Sequence, residues 1–407
     1  MRCRHCGNGS FIPFADLQNA PPSNAMLTQA ALNQPEAYYP LVVQVCDSCF
    51  LAQVDEHKSA SEIFDSSYTY FSSFSRSWLE HSERFAAMAT ERFGLGGQSQ
   101  VVEIASNDGY LLQYFHRRQI PVLGVEPAAN TAEAAIAKGI PTIVDFFGHR
   151  LAAERLGASA DLIVANNVFA HVPDINDFCA GLKTALKPHG VVSLEFPHLL
   201  RLIQQTQFDT IYHEHFSYLS LRTAVRILAA HGLKAFDVEQ LPTHGGSLRL
   251  FAAHGEDETR QQSSAIAAIL AEEAHAGLGA RAIYEGFQPR VDRVRADFLK
   301  FLLQQRDAGA RVAGYGAAAK GNTLLNYCGV KGAELIGLVA DASPHKQGRF
   351  LPGSHIPVTA PERIDSDRPD FIIIFPWNLR DEIAAQLAYA RQWGAKFVVA
   401  IPELEIW

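Results

Sequence analysis

Hydrophobic residues change their period several times along this chain, and each change predicts an element. Within "EIFDSSYTYFSSFSRSWLEHSERFAAMATERF" the residues Trp78, Phe85, Ala89 and Phe93 recur at helical spacing, so the stretch turns into an amphipathic helix. Shorter apolar runs follow. "QVVEIASNDGYLLQYF" reads as a buried strand, a turn and a helix, "VLGVEPAANTAEAAIAKG" repeats that unit, and "ADLIVANNVFAHV" and "GVVSLEFP" add strands. After a helical span near 258–309 the same alternation returns in "RVAGYGAAAKGNTLLNYCG", "LIGLVAD" and "DFIIIFPW". Strands alternating with helices predict doubly wound parallel sheets, whose ligands sit at the carboxyl ends of the strands. The chain reads as α/β, with two such units.

At 407 residues the chain exceeds one ordinary core and implies two or three domains. We divide it at 1–66, 67–257 and 258–407. Lys and Arg number 35 against 43 Asp and Glu, a net charge of −8 with no long basic run, which argues against nucleic acid as a partner. No apolar run approaches the ~20 residues of a membrane helix, and the N-terminus opens on cysteines and charges. The expectation is no membrane association and a cytoplasmic location.

The first segment carries "CRHC" and "CDSC", so Cys3, Cys6, Cys46 and Cys49 form two C-x-x-C turns that can clamp one zinc ion, as in a zinc ribbon. Four thiolates leave no position for water, which makes such an ion structural and not catalytic. A redox pair is the competing reading. Cys179 and Cys328 lie in apolar contexts and read as ordinary buried thiols.

Two acids point to the ligand of the first sheet. Glu103 ends one strand before the turn at Gly109, and Glu126 ends the next, placed to hold the two hydroxyls of a ribose. The turn has one glycine, not the G-x-G-x-x-G of a pyrophosphate cradle. An acid beside a relaxed turn suits S-adenosylmethionine, whose cationic sulfonium and amino group need no phosphate nest. Glu103 acting merely as a cap is the bland alternative. In the second unit G-x-G does occur, at Gly314 and Gly316, flanking Tyr315. Lys320, Gly321 and Asn322 stand where the turn enters its helix, so amides, helix dipole and lysine can face a diphosphate together. Trp377 and Asn378, just past a strand, are placed to stack on or bond to a base, although Trp377 is equally suited to the core.

"YHEHFSYLS" concentrates Tyr212, His213, Glu214 and His215. A zinc-protease helix needs its histidines four apart, and these are two apart, so that motif is absent. On an extended segment Tyr212 and Glu214 would share one face and the histidines the other; in a loop no such rule holds.

Taken in order, "CRHC", "CDSC", "EIASNDGYLL", "ANNVFAHVPD", "FDTIYHEHF", "THGGSLR" and "GYGAAAKGNTLLNYCG" resemble the elements of bacterial nucleotide-deoxysugar C-methyltransferases. The resemblance implies a zinc-binding N-terminal module, a class I (Rossmann-like) methyltransferase sheet that uses S-adenosylmethionine, and a second, C-terminal Rossmann-like domain. It is nearest to enzymes that methylate C-3 of a nucleotide-linked 4-ketosugar, which implies a dTDP- or GDP-sugar substrate, a branched sugar for a surface polysaccharide or glycosylated natural product, and a monomer or weak homo-oligomer. One departure is Ala105 where the commoner methyltransferase signature has its first glycine, with Asn107 at the next.

Methylation at carbon requires removal of a proton beside a ketone and stabilisation of the enolate. Imidazole accepts protons near neutral pH, so His215 fits as base. Glu214 would orient a sugar hydroxyl or support the charged imidazole, and Tyr212 would donate to the oxyanion. The resemblance adds His171 and Tyr70 to this group and implies donor contacts from Glu103, Asn107, Asp108, Gly109, Glu126, Asn166 and Asn167. Substrate contacts fall to Tyr315, Lys320, Asn322, Trp377 and Asn378. His213 stands at a variable position and is treated as surface. Ser72 and Ser73 offer hydroxyls without an assigned role. The competing readings are methylation of oxygen or another sugar carbon, and a non-catalytic nucleotide-binding zinc scaffold.

Overall fold

The computed structural model describes residues 1–63 and 71–407, and among these residues three sheets organise the fold. The largest has seven strands in the order Leu233–Leu241, Ser247–His254, Leu186–Pro197, Ala160–Asn166, Val101–Ile104, Val122–Val125 and Thr142–Ile143. Its last five strands are parallel, and Ser247–His254 runs antiparallel to both of its neighbours. Val101–Ile104 is buried at every position, as a strand covered on both faces must be. The chain leaves this strand to one side through Val122–Val125 and returns on the other as Ala160–Asn166. That reversal opens the crevice in which such sheets bind ligands.

The helix expected from Trp78, Phe85, Ala89 and Phe93 runs Arg76–Phe93, with Phe85, Ala86 and Ala89 buried. The Ser75 hydroxyl accepts from the Trp78 amide at its start, and Gly94 closes it in the left-handed conformation. The span between the two α/β units folds as helices Ser264–His275, Arg281–Glu285 and Gln288–Asp307.

A second Rossmann-like sheet follows in the order Val358–Thr359, Val339–Ala340, Val312–Tyr315, Phe371–Ile374, Lys396–Val399 and Glu405–Ile406, parallel except for the last strand. Its switch point lies at Val312–Tyr315. Helix Ala319–Cys328 begins there.

The N-terminal sheet is antiparallel: Phe11–Ala20, Tyr39–Cys46, Ala52–Val54 and then Ser217–Tyr218. Its fourth strand belongs to "YHEHFSYLS". The module also lacks a core of its own, because Ile12, Phe14, Leu41 and Val43 share one apolar cluster with Phe287, Phe298 and the second Rossmann-like sheet. Phe14 stacks on Phe287 with ring centroids 4.5 Å apart. A segment of about fifty residues thus depends on a borrowed core. Among the described residues, no helix is long and apolar enough to cross a membrane.

Candidate active site

The carboxyl ends of both Rossmann-like sheets face one cavity of about 1400 Å³. On the donor side, Ala105 and Asn107 adopt positive φ of 52° and 49°, which coils the turn after Val101–Ile104 tightly back on itself. Glu126 is only 4% exposed and accepts the Asn107 amide at 2.9 Å and the Ala128 amide at 2.8 Å, one on each oxygen. The Thr131 hydroxyl bonds to the same carboxylate, and since a carboxylate offers about four acceptor sites, one is left for a ribose hydroxyl. Asn107 Oδ1 accepts from the Ser72 amide at 2.9 Å, and Lys138 pairs with Asp108 at 3.0 Å and reaches the Ser73 hydroxyl at 3.2 Å. Ser72 and Ser73 therefore bridge to the donor turn.

Asn107, Glu126, Asn166 and Asn167 line the cavity, whereas Glu103, Asp108 and Gly109 lie behind its wall. Burial raises the Glu103 carboxyl well above its usual range, opposed in part by the nearby Tyr110 phenol. The Tyr110 phenol lies beside the buried Asn166 amide, and Asn167 Oδ1 meets hydrogen-bond geometry with no described group, so the strand ends present buried polar atoms able to bond a polar ligand. A phosphate nest is absent from the turn, and these acceptors fit the ribose and cationic ends of S-adenosylmethionine.

Tyr212 to His215 form a turn, closed by the His215 amide donating to the Tyr212 carbonyl at 2.9 Å, and not the extended segment that would have parted them. The turn puts Tyr212 and His215 together, with ring centroids 4.0 Å apart, and His171 packs edge-on to His215 at 4.5 Å. His215 Nδ1 lies 2.8 Å from the Thr210 carbonyl, which can only accept, so Nδ1 carries the proton and Nε2 the lone pair. Burial, and then His171, hold the His215 pKa well below its usual value, and burial takes His171 to about 4. Glu214 is pushed the other way by burial, to about 7, against the Asn24 amide and the Lys346 charge. His213 corrects the sequence reading: it is 5% exposed, not surface, with Nε2 facing the Tyr39 and Pro40 carbonyls at 3.3 and 3.2 Å. Tyr70 lies outside the described residues.

From the second Rossmann-like sheet, Tyr315, Lys320 and Asn378 line the same cavity. Lys320 donates to Asn378 Oδ1 at 2.8 Å and rests 4.4 Å over the Trp377 ring. Trp377 sits beneath the lysine, outside the cavity lining, and its indole donates to Asp209 at 2.8 Å. Burial lowers Lys320 to about 8 and raises Asp209 to about 6, each resisting the other's shift. Asn322, 1% exposed, is enclosed in helix Ala319–Cys328.

Sequence reasoning missed several groups at the cavity. His244 lines it and accepts from Asn167 Nδ2 at 3.2 Å if its proton is on Nδ1, and burial holds it at about 4. Its motif "THGGSLR" was visible, and the reason for the glycines is now plain: a Cβ on Gly245, at φ +87°, would lie 2.2 Å from Trp377. His81 and Arg249 line it too: His81 donates to the buried Glu195 at 2.8 Å, and Arg249 reaches the same oxygen at 2.9 Å. Asn24, from a proline-rich stretch with no chemical motif, also enters the cavity.

At the far end of the N-terminal sheet the sulfurs of Cys3, Cys6, Cys46 and Cys49 all lie within 4.8 Å of one another. Four thiolates at bond lengths near ~2.3 Å around one centre give that spacing, so the cluster fits a closed tetrahedral zinc site.

Sequence models match the chain in three pieces: a zinc binding domain over residues 3–64, a methyltransferase domain over 78–238 and a C-methyltransferase C-terminal domain over 242–402. The C-methyltransferase NovU of Streptomyces niveus is 35% identical over 404 residues, covering 98% of this chain and 95% of that protein. Among solved structures, magnesium protoporphyrin IX methyltransferase from Synechocystis with bound S-adenosylmethionine aligns at 15% identity over 43% of this chain and 79% of its own, with a TM-score of 0.34. An S-adenosylmethionine-dependent methyltransferase from Mesorhizobium loti aligns at 16% identity over 43% and 99%, with a TM-score of 0.35.

Proposed function

The chain belongs to the C-methyltransferase family, and from that premise we propose that this S-adenosylmethionine-dependent enzyme methylates a nucleotide-linked 4-keto-deoxysugar, at C-3, through an enolate. The observation that carries the reading is the fixed tautomer of His215, whose bare Nε2 belongs to a ring lining the cavity shared by donor and substrate walls. When bound, S-adenosylmethionine supplies an electrophilic methyl group. Asn107, Glu126, Asn166 and Asn167, which line the cavity, would hold it, with the Glu126 carboxylate available to a ribose hydroxyl.

His215 takes the proton beside the ketone. Burial lowers its pKa well below the usual value, which favours the unprotonated ring at neutral pH. Tyr212 donates to the enolate oxygen, Glu214 orients a sugar hydroxyl, and His171 walls the site beside the base. Lys320, still largely protonated below about 8, presents its charge to the diphosphate with Asn378 and Tyr315 beside it.

The test is incubation of the purified protein with methyl-labelled S-adenosylmethionine and a panel of dTDP- and GDP-linked ketosugars, with the product carbon read by NMR. Label on C-3 of a 4-ketosugar is expected. Label on oxygen, or no transfer to any ketosugar, would sink the reading.

A further inference from the structure

The stretch from Ala20 to Leu27 leaves the zinc module's first strand and carries two prolines, which stiffen it into a spur. The Ala25 amide closes a turn on the Pro22 carbonyl at 3.1 Å. Leu27 then pairs with Phe350 through two backbone bonds of 2.9 Å, and Glu36 meets His355 at 2.9 Å, so the spur is fastened to the second Rossmann-like unit. Just ahead of these anchors Asn24 enters the cavity. Its amide nitrogen lies 2.7 Å from Oε1 and 2.9 Å from Oε2 of Glu214.

The same module grips the rest of the catalytic turn. Ser217 and Tyr218 form its fourth strand, the Val54 amide donates to the Phe216 carbonyl at 3.2 Å, and His213 faces the Tyr39 and Pro40 carbonyls. We propose that Asn24 is a positioning residue for the reaction, delivered by the zinc module, whose amide fixes the Glu214 carboxylate in place and in its ionised form. The proposal rests on Glu214 acting as the group that orients substrate.

Few charges compete for that carboxylate. Lys346, held by the Ala317 carbonyl at 2.9 Å, faces it from the second Rossmann-like unit, and His171 bonds to the Glu214 backbone from the methyltransferase sheet. Its own turn contributes His213, His215 and Tyr212, with both histidines held neutral by burial. Among the described residues, the Asn24 amide therefore supplies the hydrogen bonding, shared between both carboxylate oxygens, that favours the charged form.

The test is a pH titration of the zinc-loaded, substrate-free protein labelled with ¹³C at glutamate δ-carbons, Glu214 being identified by its loss in Glu214→Gln. Asn24→Ala is expected to move the Glu214 titration up by about one pH unit, since the amide's shared bond to the charged form disappears. Asn24→Asp, of nearly the same shape, adds a like charge and moves it further. Zinc content and donor affinity measured alongside stay at wild-type values, which separates the shift from unfolding. Turnover of a dTDP-linked 4-keto-deoxyhexose should lose its acid limb to higher pH in step. An unmoved titration in both variants, or a uniform loss of turnover with the limb in place, overturns the proposal. A limb that follows Glu214→Gln but ignores Asn24 removes this proposal alone, while full turnover in Glu214→Gln removes the reading of Glu214 and this proposal with it.

Discussion

The two walls of the cavity are built on opposite plans. Its donor wall comes from the strand ends of one sheet, where Asn107, Glu126 and Asn166 reach the crevice through neighbouring turns. The side proposed to carry the reaction is gathered from distant segments: Asn24 of the zinc module, His171 after one strand, the turn Tyr212–His215, His244, and Lys320 of the second Rossmann-like unit. A local wall tolerates loss of a remote element. A composite wall does not, because a displacement of ~1 Å at the reacting groups costs about 10²-fold in rate.

That contrast orders the expected effects. His215→Asn should lower turnover by the about 10²–10⁴-fold of a lost general base while both ligands still bind, which calorimetry and single-turnover kinetics will show. Cys46→Ser should release zinc and loosen the sheet that carries Ser217 and Tyr218, cutting turnover by about 10²-fold with donor affinity nearly intact. Equal loss of donor binding in that variant would erase the distinction between the walls. Glu126→Ala sharpens it from the other side, since charge-assisted bonds to ribose are lost and donor affinity should fall at least about tenfold by calorimetry. The smallest effect belongs to His213→Asn. Removing its ring from the Tyr39 and Pro40 carbonyls should cost about 1 kcal/mol in denaturant unfolding and leave the pH profile unchanged.

What could be read from sequence follows the same division. The strands around Glu103 and Glu126, the helix bearing Phe85 and Ala89, and the four zinc cysteines all declare themselves by spacing along a short stretch. His213 did not, because the carbonyls that satisfy it belong to Tyr39 and Pro40, far away in the chain. Trp377 looked equally fit for stacking or core, and its contacts with Asp209 and Lys320 put it under the cavity. Asn24 gave no signal. An asparagine after two prolines is an ordinary turn until tertiary structure sets a buried carboxylate against it. The glycines after His244 did carry one, since Gly245 is required by the ring of Trp377, but the partner was unknown until the fold brought it near.

The central claim is that His215 removes the proton beside the ketone, and solvent exchange tests it without methyl transfer. With S-adenosylhomocysteine in the donor site, a dTDP-linked 4-keto-deoxyhexose in D₂O should exchange its C-3 proton under wild-type catalysis, followed by proton NMR. His215→Asn should slow that exchange in proportion to its loss of turnover. Exchange at the wild-type rate in a variant that no longer methylates would place the base elsewhere and contradict the account.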